Sequence, residues 1–163
     1  MHKDLIEVLI GLDIDLKRLR EAKMRGILVV YGDATKLPFK NDSFDAIISF
    51  HVIEHIKKDL AFVNEIYRVL KNSGFVIMIT PNRVRLNSVI YRLFHRHKEK
   101  YPMNPEHVFE YTKKDLGTLF LKSSFKHYEI RPIGLVRLPR LEITTVPRFL
   151  SKYCDQLMAI LKK

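Results

Sequence analysis

The run Phe44-Asp45-Ala46-Ile47-Ile48-Ser49-Phe50 constrains the fold more than any other stretch. It is nearly continuously apolar and rich in β-branched residues, the pattern of a strand covered on both faces inside a parallel sheet. Gly32-Asp33-Ala34 precedes it by a short polar loop, and a turn crowded with ionisable groups, His51 to His55, follows it. In open α/β sheets ligands bind beyond the carboxyl ends of the strands, near the point where strand order reverses. The two turns are therefore expected to face one crevice.

Around this strand the chain alternates strands and helices. Residues 5 to 12 read as a buried strand ending at Asp13, and Asp15 stands where a helix N-cap is wanted, ahead of Leu16, Leu19 and Ala22 at helical spacing. Gly26 stops that helix and Ile27 to Tyr31 form the next strand. A carboxylate at a strand tip, such as Asp13, offers two oxygens to the two hydroxyls of a ribose. Asp33 taken alone reads as a turn residue bonded to its own backbone. Further on, Asp59 is expected to cap a helix carrying Val63, Ile66, Tyr67 and Leu70 and ended by Asn72-Ser73-Gly74, and Phe75 to Thr80 form another buried strand. Arg83 to Lys100 read as a basic amphipathic helix, taken with the loop after it as a lid insertion over 83–105. Thr112 and Asp115 have capping-box spacing before Leu116, Leu119 and Phe120. Tyr128 to Arg131 and Leu135 to Thr144 read as a final antiparallel pair. Pro147 opens an expected C-terminal amphipathic helix over 146–163, with Phe149, Leu150, Tyr153, Leu157, Ile160 and Leu161 on its apolar side. Nothing divides the 163 residues, which read as one domain.

The ordered series Gly32-Asp33-Ala34, Leu37-Pro38-Phe39, Ser43-Phe44-Asp45, Glu54-His55, Arg68-Val69-Leu70-Lys71 and Gly74 closely resembles the class I S-adenosylmethionine (SAM) dependent methyltransferases of the small-molecule, methyltransferase-11-like type. The likeness covers roughly residues 7 to 82. It implies an α/β, doubly wound, Rossmann-like and mostly parallel sheet, SAM as cofactor and S-adenosylhomocysteine as product. It also places Asp13, with Ile14 beside it, at the ribose, Asp33 and the Ala34 N–H at the adenine, and the backbone around Ser49 and Phe50 along the methionine arm. His51 and His107 are the residues it implies at the substrate, where an imidazole with a pKa near 6.5 can act as a general base. The acceptor is left open, a small-molecule or anionic substrate.

One part of the family pattern is missing. The six glycines stand at 11, 26, 32, 74, 117 and 134, and no G-x-G occurs, so the glycine turn that lets backbone approach the cofactor is absent. The resemblance implies a further strand between those ending at Asp13 and beginning at Phe44. We therefore expect a domain truncated by its first strand and helix, with Met1 an internal start and about 35 further residues upstream. The open edges would otherwise pair directly or take a strand from a second copy in a homodimer. Weak SAM binding is expected of this form.

Charge is unevenly spread. Residues 1 to 82 hold 12 Lys and Arg against 11 Asp and Glu, whereas residues 83 to 163 hold 17 against 7. Such a basic half attracts an anionic substrate, nucleic acid or an acidic membrane surface. The alternative to an enzyme is thus a non-catalytic module that grips nucleic acid or acidic lipid, distinguished by a steep salt dependence. The lone Cys154 excludes an intrachain disulfide and a cysteine-based zinc cluster. His51-Val52-Ile53-Glu54-His55 matches H-x-x-E-H, but that zinc chemistry needs both His on one helical face and the strand ends at Phe50, so no metal is expected. No apolar run reaches the roughly 20 residues of a membrane span, and a cytoplasmic location is expected.

Overall fold

The computed structural model describes residues 7–86, 89, 107–138, 141–143, 146 and 148–163. Strand β1 (Ile10–Asp13) leads into helix α1 (Leu16–Met24), capped by Asp15, whose carboxylate accepts from the Lys17 and Arg18 N–H groups. Strand β2 (Leu28–Tyr31) returns parallel to β1, with Asp13 beside Tyr31 in register. Strand β3 (Phe44–Phe50), helix α2 (Asp59–Val69) and strand β4 (Leu70–Pro81) form the second parallel unit. Helix α3 (Lys113–Lys122) carries the expected capping box, with Thr112 and Asp115 each bonded to the other's backbone N–H. Four strands follow: β5 (His127–Ile133), the short antiparallel ribbon β6 (Val136–Leu138) with β7 (Leu141–Ile143), and β8 (Gln156–Lys162).

The described strands make a β1-β2 pair and a four-stranded sheet in the order β3-β4-β8-β5. Among the described residues, β1 and β3 are each hydrogen-bonded on one side only. The core lies between the larger sheet and helices α2 and α3. It is built from Phe62, Val63 and Ile66 of α2, Val76 and Met78 of β4, Leu116 and Phe120 of α3, and Leu157, Ala159 and Leu161 of β8.

Three expectations are corrected. The helix over 146–163 does not form: Arg148–Tyr153 is a 3-10 turn, and Gln156–Lys162 is a strand inserted between β4 and β5. The final antiparallel pairing is accordingly β5 with β8, while Leu135 to Thr144 supply only the separate ribbon. Strand β3 is covered on one face, since Ile48 and Phe50 are 60% and 54% exposed among the described residues. The lid over 83–105 lies almost wholly outside the described residues.

Helix α2 stops earlier than expected, at Val69, and its N-cap is Lys58 rather than Asp59, whose carboxylate instead accepts from the Leu60 N–H and the Tyr111 hydroxyl. Burial, together with the Asp59 charge, pushes the Tyr111 phenol well above its usual range and keeps it a neutral donor. Gly74 is required at the start of the β4 ladder by close approach, because a Cβ there would stand 2.8 Å from both Leu70 Cγ and the Lys71 carbonyl oxygen.

Arg68 locks the loop after β2 to α2. Its guanidinium donates to the carbonyls of Phe39 (2.8 Å) and Leu37 (2.9 Å) and to Asn41 Oδ1, and it pairs with Glu65, whose Oε2 accepts from the Leu37 N–H at 2.8 Å. The Leu37-Pro38-Phe39 element is thereby held under the Gly32-Asp33-Ala34 turn, where the ring of Pro38 would touch any Cβ at position 32. Arg68→Ala is expected to cost about 2–4 kcal/mol, since charge-assisted bonds contribute roughly 1.5–3 kcal/mol and the carbonyls left behind are partly buried. Thermal unfolding should show a midpoint lower by about 4–16 °C. A change below 2 °C, within ordinary surface scatter, would remove the clamp from the account.

Candidate active site

The carboxyl ends of β1 and β2 bring two carboxylates together. The Gly32 N–H donates to the Asp13 carbonyl at 3.2 Å, so the turn carrying Asp33 starts directly over the tip of β1. Asp13 Oδ1 accepts from the Asp15 N–H at 2.9 Å, while Oδ2 lies 3.9 Å from the exposed Arg18 guanidinium. Asp33 Oδ1 accepts from both the N–H and the hydroxyl of Thr35 at 2.8 Å. Those bonds, the backbone one foremost, hold the Asp33 carboxyl below its usual range. Each carboxylate thus has one oxygen fixed by its own turn, which orients the other. Ile14 is exposed beside them, and Ala34 packs against the core and fixes the turn from below.

At the neighbouring tip, Ser49 is buried and Phe50 is exposed. Ser49 Oγ is, among the described residues, the buried side-chain polar atom with no hydrogen-bond partner. An unsatisfied buried hydroxyl costs about 1–3 kcal/mol, so its place at the end of β3 calls for a ligand polar atom. The donor set fits an adenosyl cofactor: two acidic acceptors on one pair of strand tips and an unsatisfied hydroxyl on the next.

His51 follows at φ +53, in the left-handed region that costs most residues energy and that His, Asn and Asp enter most readily. Its N–H donates to the Ile79 carbonyl at 2.9 Å, which pins the turn to β4. The ring Nδ1 lies 3.1 Å from Glu54 Oε1, and Nε2 lies 3.2 Å from the Gln156 amide nitrogen. Glu54 is fully buried and its Oε2 accepts from the Thr80 hydroxyl at 3.0 Å. A buried carboxylate facing Nδ1 favours the tautomer with the proton on Nδ1 and the lone pair on Nε2.

His107 lies apart from His51's partners. Its Nδ1 is 3.3 Å from Glu110 Oε1, and Glu110 is clamped by two Arg85 bonds of 3.0 Å. The segment is nevertheless tied to the same turn, for the N–H groups of Val108 and Phe109 both donate to the Glu54 carbonyl. The His107 ring meets the His55 ring edge-on, with centroids 4.9 Å apart. The H-x-x-E-H geometry of a zinc protease is not formed, because His51 sits in a left-handed turn and Ile53–His55 is a single 3-10 turn.

The sequence reading missed three contributors. Thr80 and Gln156 close the site through sheet pairing, Gln156 lying beside Pro81 in register, and a helix reading of 146–163 leaves no route to that position. Glu54 joins them through its bond to His51, which depends on the tight turn.

Comparisons with known proteins bear on this geometry. The model of a family described as a methyltransferase domain matches residues 2–78. The chain is 29% identical over 134 residues to a probable S-adenosylmethionine-dependent methyltransferase of Mycobacterium tuberculosis, covering 81% of this chain and 45% of that protein. It is 28% identical over 141 residues to a demethylmenaquinone methyltransferase of Staphylococcus haemolyticus, covering 74% of this chain and 59% of the relative. These matches make the chain similar to SAM-dependent methyltransferases. The fold agrees. A Thermotoga maritima SAM-dependent methyltransferase superposes with a TM-score of 0.69 at 19% identity, covering 94% of this chain and 72% of that one. An Archaeoglobus fulgidus SAM-dependent methyltransferase gives a TM-score of 0.67, also at 19% identity, covering 94% and 75%. SAM is the cofactor of the family. The chain spans about half the length of the curated relatives it matches. Among the described residues no helix is long and apolar enough to cross a membrane.

Proposed function

We propose that this methyltransferase domain holds SAM across the tips of β1, β2 and β3 and methylates a small anionic acceptor whose nucleophile starts protonated. The observation that carries the reading is the register of β1 with β2, which sets Asp13 and Asp33 on one rim. Asp13 takes the ribose hydroxyls, with Ile14 against the sugar. Asp33 and the Ala34 N–H take the adenine edge, and Ser49 Oγ and the backbone at Phe50 take the methionine arm. Bound there, SAM supplies a sulfonium methyl group for in-line displacement, so the protein's share is to position the acceptor and exclude water. Once the Gln156 amide gives way to the substrate, His51 Nε2 accepts the proton that the nucleophile loses as it is alkylated, with Glu54 fixing the ring. The excess of basic residues after position 82 supports an anionic acceptor.

Calorimetric titration with S-adenosylhomocysteine tests the reading. The parent chain should bind more weakly than micromolar, because no glycine turn approaches the cofactor, and Asp13→Ala and Asp33→Ala should each weaken it a further 10- to 150-fold, about 1.5–3 kcal/mol per charge-assisted contact. Two variants that bind as the parent does would overturn the placement.

A further inference from the structure

A second cluster stands beside the His51 turn. Glu54, His55 and His107 each bring one ligand-type atom to within 4.8 Å of the others. His51 does not belong to the group, and the two imidazoles come from positions 52 residues apart in the chain. We propose that Glu54, His55 and His107 form a site for a first-row divalent cation, zinc best of all, with an outward position left open for an oxygen or nitrogen ligand.

The donor set carries the choice of metal. Two imidazoles and one carboxylate make the three-protein-ligand set of zinc sites that keep a fourth position open, whereas magnesium and calcium take oxygen ligands. Bonds of 2.0–2.2 Å in tetrahedral array put donors roughly 3.3 Å apart, so the cluster must tighten by up to about 1.5 Å. His55 is exposed, while Glu54 is buried and His107 nearly so, which gives the site two inner ligands and one at the surface.

The outer partners are already in place. His107 Nδ1 faces Glu110 Oε1 at 3.3 Å, and Glu110 is itself held by Arg85, which leaves Nε2 of His107 as the ligand atom. Carboxylate support of a ligating imidazole in this manner fixes its tautomer and raises its basicity. Glu54 receives the Thr80 hydroxyl on Oε2 and faces His51 on Oε1, and a carboxylate oxygen with two lone pairs can keep such a bond and still ligate. The backbone bonds from Val108 and Phe109 to the Glu54 carbonyl hold the two halves of the site together. A cation here also offsets the charge of a carboxylate that is wholly removed from solvent.

The assignment stands on these three side chains and does not need the proposed SAM contacts. Its test therefore reads metal alone. The full chain is freed of metal with chelator, then titrated with zinc against a chromophoric zinc indicator, with magnesium as the comparison cation. One zinc per chain should bind, millimolar magnesium should not displace it, and His55→Ala and His107→Ala should each weaken zinc binding by more than about 100-fold, beyond the 10- to 100-fold typical of an outer-partner loss. His127→Ala should bind as the parent does. Circular dichroism checks folding, and His55→Ala, which removes an exposed ring, decides the matter if His107→Ala unfolds. Failure of the parent to take up one equivalent, or unchanged affinity in His55→Ala, would overturn the site.

Discussion

His51→Asn is expected to slow methyl transfer by about 10²- to 10⁴-fold, the usual contribution of a positioned general base, while S-adenosylhomocysteine affinity stays within about twofold of the parent. Asn is the informative replacement because it tolerates the left-handed backbone at φ +53, so the turn survives and only the imidazole is lost. Alanine would strain the same turn and confuse folding with chemistry. Glu54→Gln makes a finer distinction. Gln can still accept from Nδ1–H with its one oxygen and donate from its amide nitrogen to the Thr80 hydroxyl oxygen, but it carries no charge to stabilise the imidazolium formed when Nε2 takes a proton. Its rate should fall, although the ring stays fixed and the turn survives. A purely structural Glu54 would lower the melting temperature and leave the rate of the folded protein in place. The measurement is transfer of labelled methyl from SAM to whichever small acid of an acceptor screen the parent methylates, followed across pH 5 to 9. Parent-like rates in His51→Asn would remove His51 from the chemistry.

The parts of the site that lie close together in sequence were legible, and those joined by sheet pairing were not. Asp13 and Asp33 each end a short apolar run, so their place at a strand tip follows from local pattern, and the parallel register then sets them side by side. Asp15 and the Thr112–Asp115 box could be read as caps because capping is a matter of three or four residues. The run at β3 announced a strand but not its exposure, because hydrophobicity says what a face prefers and not whether a neighbour covers it. His55 and His107 gave no sign of each other, and neither did His51 and Gln156, since a contact across such separations leaves no spacing rule behind. At the C-terminus two periods coexist. Leu157, Ile160 and Leu161 fit a helical stripe, whereas Leu157, Ala159 and Leu161 fit a strand, and the small Ala159 hid the second pattern. Packing decided it: between β4 and β5 a seven-residue strand satisfies two rows of backbone groups at once, which a helix at that place cannot do.

That outcome makes the last eight residues the most sensitive to change. Removing 156–163 should abolish cooperative unfolding altogether, because β4 and β5 would each lose a seven-residue pairing and Leu157, Ala159 and Leu161 would leave the core. Two large-to-small losses of about 2–5 kcal/mol each, with the unpaired backbone added, exceed the 5–15 kcal/mol by which a domain is stable. Point changes discriminate more sharply than deletion. In the strand, Ala159 is wholly buried while Ile160 is only partly so, its side chain falling on the opposite face. Ala159→Asp therefore places an unpaired charge in the core and should cost more than about 4 kcal/mol, whereas Ile160→Asp should cost about half as much. On a helix whose apolar stripe runs through 157, 160 and 161 the order would invert, with 160 the intolerant position. Urea unfolding of the two variants measures the order directly, and a chain that accepts Asp at 159 but unfolds with Asp at 160 would carry a helix there and leave β4 and β5 to find another partner.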